Sequence, residues 1–220
     1  MRSVLREIGY EGVTHVGLAY DAWAPVKHGD GKVPDADKDP WLKKLAEITI
    51  DSSYKNFYNT WEKSFNDRDT LTATFTLESR LLLGHGEPSA AEVGLKVHHT
   101  WGVPVIPGSA LKGLLHHYLT ITYGGDPNFK GVKWDGSRIT KGPGGAIHTL
   151  FGGPEASGDE PTDKAAAGFV TFHDALYKPG SAPENQPYAA DVLTVHQRSY
   201  NESKGDKPPN DYDSPTPIGF

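Results

Sequence analysis

Glycine and proline are so frequent in this chain that many of its backbone positions are expected to serve turns rather than regular elements. Its 220 residues include 25 glycines and 17 prolines, about a fifth of the chain where about an eighth is usual. Each marks a place where the backbone serves a turn or lacks a donor, so elements are short and loops long. Loops on such a scaffold carry much of the function. A chain of this length forms a sizeable core without a staple. The expectation is one domain over residues 1–220, with loop insertions at about 25–50, 124–145 and 153–167.

Cysteine is absent, which removes disulfide frameworks, thiol nucleophiles and thiolate-bound zinc and fits a reducing compartment. No stretch nears the roughly 20 apolar residues of a membrane helix, and the N-terminus lacks the apolar core of a secretory signal. A cytoplasmic protein with no membrane partner is expected. The net charge of -6 opposes a polynucleotide partner, because phosphate binders present basic surface. Charge is segregated, however. Lys130, Lys133, Arg138 and Lys141 stand against a lone Asp135 in residues 128–145, with Phe129 and Trp134 interleaved, while acid gathers at 30–39 and 155–163. A solvated loop accounts for the basic tract as well as a phosphate-binding one does.

Residues 13–20 (VTHVGLAY) read as a short apolar strand, and the Pro/Asp/Gly/Lys tract at 25–40 as a loop. Asp51 and the serines after it cap a helix in which Tyr54, Phe57, Tyr58, Trp61 and Phe65 recur at helical spacing. Those aromatics predict a core stripe, since stacking platforms need exposed rings. Leu71, Ala73, Phe75 and Leu77 alternate with Thr72, Thr74 and Thr76, which predicts a half-buried strand running on past Arg80 to a break at Gly84-His85-Gly86. Further strands are expected at 94–100, 103–106 and 168–173. Mixed short strands and helices point to an α+β fold.

The segment from Pro104 to His116 (PVIPGSALKGLLH) is the most informative. Ser109 is a good N-cap, with the helix starting at Ala110. Leu111, Leu114, Leu115 and Tyr118 fall on one face, committed to the core, and Lys112 and His116 share another. Free amide hydrogens, the positive end of the helix dipole, a hydroxyl and an ammonium would then surround one small volume, the chemistry an anion needs. Gly113 costs the helix on the order of 1 kcal/mol relative to alanine, which implies close approach of a ligand or of a packed strand. Gly84-His85-Gly86, with Arg80 upstream, and Gly152-Gly153 are further glycine turns that could line one channel with it.

Taken in order, THVGLAYDAW at 14–23, ESRLLLGHGEPSAAEVGLKVHHTWGVPVIPGSALKG at 78–113, LFGG at 150–153, GFVTFHDA at 168–175, DVLTVHQRSY at 191–200 and SPTPIGF at 214–220 resemble the sixth-subunit family of type III-B CRISPR (Cmr) effector complexes, within the RAMP superfamily. The resemblance implies a ferredoxin-like (RRM-like) RAMP fold with long glycine-rich loops and insertions. It implies a non-catalytic RNA-binding subunit of an antiviral ribonucleoprotein. Such a subunit contacts guide RNA (crRNA) toward its 3′ end, lies near target RNA, and caps the filament of backbone RAMP subunits alongside other Cmr subunits. No cofactor or metal is implied. RNA contact carries over to Gly108, Ser109, Lys112 and Gly113, to Gly84 and Gly86, and to Arg80 and Gly152. His116 stands where many members have arginine, so its phosphate contact would be weaker or pH-dependent. His196 and Tyr200 lie in the C-terminal motif, where RNA contact and packing both remain open. The family continues beyond the SPTPIGF stretch into further strand, so the sheet is expected to be finished by more chain or by another chain.

Rival readings stay on the page. A RAMP endoribonuclease would use His148 or His116 as base, and a target-cleaving backbone-type subunit a loop aspartate, Asp30, Asp35 or Asp37. A metal hydrolase built on His98-His99 and His116-His117 lacks any H-E-x-x-H spacing, and no phosphate-binding nucleotide motif is present. A purely structural assembly subunit fits the acidic charge.

Overall fold

The computed structural model describes residues 12–26, 31–66, 69–135, 138–157, 160–195, 197–210 and 216–220. The chain divides into two compact units, Met1–Val105 with Leu176–Phe220, and Ile106–Ala175. The class is α+β as expected: helices mixed with small two-stranded sheets.

The first unit begins with α1, Val16–Asp21, where the sequence suggested a strand. The reason is local: the His15 ring accepts the Leu18 amide hydrogen through Nδ1 and so caps a helical turn. That turn buries Val16, Ala19 and Tyr20 on one side. Helix α2, Asp35–Ala46, starts inside the tract read as a loop. Asp35 and Asp37 in its first turn and Lys43 and Lys44 in its last suit the helix dipole, and Trp41, Leu42 and Leu45 enter the core. Tyr20 stacks on Trp41 with ring centroids 5.3 Å apart.

Helix α3, Tyr54–Lys63, forms where the aromatic spacing placed it. Asp51 accepts the Ser53 hydroxyl and the Ser53 amide hydrogen ahead of it, which pulls the Asp51 carboxyl below its ordinary range. Tyr54 and Tyr58 are buried with Ile50 and Val103, and Phe57 and Trp61 lean on that cluster half-exposed, so the core-stripe reading holds. Burial pushes the Tyr54 hydroxyl well above its usual range, and that hydroxyl donates to the Tyr177 carbonyl.

Residues 71–81 break the strand expectation. They are exposed throughout, with Leu71 at 96 % and Phe75 at 77 %, and lie outside any sheet. The alternation is a strand's, but no neighbouring strand is paired with it among the described residues. The predicted strand at 94–100 contracts to one bridge, Val97 with Pro104, and that at 103–106 to β1, Val105–Ile106.

The second unit opens with α4, Gly108–Tyr123. A hairpin of β2, Lys133–Asp135, and β3, Arg138–Lys141, follows. Helix α5, Gly145–Phe151, runs into a second antiparallel hairpin, β4, Gly152–Ser157, with β5, Glu160–Ala167. Residues 168–173, predicted as strand, carry no ladder. The apolar face of α4 also departs from expectation: Leu114, Leu115 and Tyr118 are 67 %, 39 % and 54 % exposed rather than committed to a core.

The chain returns to the first unit through β6, Ala175–Leu176, which pairs with β1. Strand β7, Val192–Val195, then pairs antiparallel with β8, Thr216–Gly219, after α6, Arg198–Glu202.

Candidate nucleic-acid interface

The predicted contacts divide between the units: Arg80, Gly84 and Gly86 lie in the first, and Gly108, Ser109, Lys112, Gly113, His116 and Gly152 in the second.

In the second unit the helix start is shifted from where the sequence put it. Pro107, with φ -58° and ψ 140°, is the N-cap of α4, and no side chain caps it from within. Proline fixes the required φ in advance, so the helix begins at Gly108. Ser109 is therefore a first-turn residue and not the cap. The Gly108 amide donates to Asp174 Oδ1 at 2.7 Å. A carboxylate thus sits where an incoming phosphate oxygen would, stabilised by the same dipole. Gly108 is itself buried, and a Cβ on it would collide with the Phe172 carbonyl oxygen. That glycine serves packing.

The next residues are open. Ser109 and Gly113 are exposed, Lys112 is half-buried, and a Cβ on Gly113 would meet nothing within 4 Å. Tight helix-on-strand packing therefore does not explain Gly113. His116 is half-buried and meets Phe151 edge to face at 5.2 Å, while Phe151 stacks on Phe172 at 5.7 Å. Gly152 has φ 76° and ψ -169°, a region essentially reserved for glycine. A Cβ there would strike the Ala166 carbonyl oxygen across the β4–β5 ladder, so its glycine is a structural requirement.

The basic tract folds as the β2–β3 hairpin, in which Lys133 stands opposite Lys141 and Asp135 opposite Arg138.

In the first unit Gly84 has φ 89°, and a Cβ on it would press on the Lys96 amide, whereas Gly86 has open space around it. The loop is held from its far end. Glu92, at φ 72°, accepts from Lys32 at 2.8 Å and from Lys38 at 2.7 Å, and these lysines draw its carboxyl down to about 2. Arg80 is paired with Asp191 at 2.9 Å. The pair lowers the Asp191 carboxyl from its ordinary range and neutralises the guanidinium offered as a phosphate contact.

Sequence reasoning missed Asp174, Asp191 and Glu92. A carboxylate next to a conformationally constrained glycine amide is a non-local pairing, and nothing in the local pattern announces it.

The residues of the rival readings are placed as follows. Asp35 and Asp37 belong to the first turn of α2; Asp30 and His196 lie outside the described residues. His148 keeps Nε2 buried without a hydrogen-bond partner among the described residues. His98 accepts the Thr100 and Trp101 amide hydrogens and shapes a turn; His117 and Tyr200 are exposed. Among the described residues no three His, Asp or Glu side chains are grouped to hold a metal ion, and no helix is long and apolar enough to cross a membrane.

Comparison with known proteins gives one family and one curated relative. Residues 74–217 match the model of the RAMP superfamily. The CRISPR system Cmr subunit Cmr6 of Pyrococcus furiosus is 27 % identical over 199 residues, covering 76 % of this chain and 58 % of that relative. The chain thus spans less than two thirds of the relative's length. No solved structure matches. Small antiparallel sheets with helices, the glycine-bounded PGSALKG turn at the start of α4, and a family match across well over half of the residues agree: the chain belongs to the RAMP superfamily.

Proposed function

We propose that this protein is a non-catalytic RNA-binding subunit of a CRISPR effector complex of the Cmr type, one that touches the guide strand toward its 3′ end and caps a filament of related subunits. The observation that carries the reading is the opening of α4, where exposed Ser109 and Gly113 flank Lys112. Hydroxyl, ammonium and bare helix backbone suit phosphodiester oxygens and discriminate little among bases. Asp174 already holds the Gly108 amide, so contact runs through Ser109, Lys112 and Gly113.

A second reading, an assembly subunit that meets only protein, draws on that same Asp174 carboxylate and on the acidic net charge of -6. Retention of single-stranded RNA by the full chain, alone and assembled with its neighbours, measured over a salt series, separates the two. An RNA binder loses affinity steeply as salt rises, and Ser109→Ala with Lys112→Ala flattens the log–log slope by about 0.7 for a lost phosphate contact. No loss of RNA retention in the double variant would sink the site. Cleavage of labelled RNA by the isolated chain with divalent metal, abolished by Asp35→Ala or His148→Ala, would replace it with an enzyme.

A further inference from the structure

We draw no further inference here: the strongest candidate, the exposed apolar face of α4 carrying Leu114, Tyr118 and Ile121, lies within the residues that match the RAMP superfamily and so belongs to the family's own fold, and nothing among the described residues shows what covers it.

Discussion

In the first unit Tyr54, Val16 and Val103 are all but sealed from solvent, while in the second α4 leaves Leu114 and Ile121 67 % and 69 % exposed. The first unit gathers two buried clusters, one of α1 and α2 around Tyr20 and Trp41, the other of α3 around Tyr54. Among the described residues of the second, only Ile147 and Phe151 are buried hydrophobics. Its close contacts are of a different kind: Gly108 lies on the Phe172 carbonyl and Gly152 on the Ala166 carbonyl, at distances a side chain forbids. Side-chain burial supplies roughly 25 cal/mol per Å2 of apolar surface wherever it occurs, whereas backbone approach at a glycine is an all-or-nothing geometric condition. A unit of the second sort is specified by a few residues and keeps its surface free for binding.

The sharpest way to break this contrast is Gly152→Ala. The position combines an essentially glycine-only φ/ψ with a carbonyl oxygen in the path of a Cβ, so a loss of about 3 kcal/mol is expected. Hydrogen exchange on the full chain is the measurement: amides of residues 106–175 speed up, while those around α1 and α2 keep their protection. Equal loss in both units would mean they unfold as one cooperative body and the contrast has no energetic content.

A smaller effect tests the tie in the first unit. Glu92 binds Lys32 and the buried Lys38 from a left-handed conformation, with its carboxyl held near 2. A carboxyl whose folded value lies below its unfolded one stabilises above the unfolded value and loses that contribution as pH falls through the folded one. The window is therefore from about 4.5 down to about 2. The Glu92 side chain is a third exposed, so solvent screening reduces its worth to about 1 kcal/mol. Glu92→Gln is expected to lower urea stability by that amount at pH 7 and to remove the corresponding slope from an acid titration of stability. An unchanged slope would show the pair idle.

How much of this was legible in the sequence depends on the range of the interaction that decides each element. Helix α3 and the existence of α4 follow from spacing along a few turns, and the structure has both. The start of α4 was misplaced by two residues because Pro107 presets the helix φ and leaves Ser109 inside the first turn. Residues 13–20 looked like a strand because the stretch is short and apolar, and became α1 through a cap from His15 that composition does not reveal. At residues 71–77 the alternation described the segment's own shape, but a strand's burial depends on a neighbour that no local pattern names. The same limit applies to the candidate site. Lysines, serine and glycines could be picked by type, whereas Asp174 beside Gly108 and Asp191 beside Arg80 come from far along the chain and change what those residues offer.

The smallest expected effect bears on the openness of the second unit. Leu114 projects from the middle of α4 and is 67 % exposed. Leu114→Ser therefore removes little buried surface and sacrifices a few tenths of a kcal/mol of helix propensity, so the free energy of urea unfolding should change by no more than about 0.5 kcal/mol with the slope unchanged. A buried leucine at that position would instead cost about 2–5 kcal/mol on loss of its side chain. The two expectations differ by far more than the error of the measurement. A large loss would mean the apolar stripe of α4 is covered in solution, and the second unit would then be stabilised by side-chain burial just as the first is.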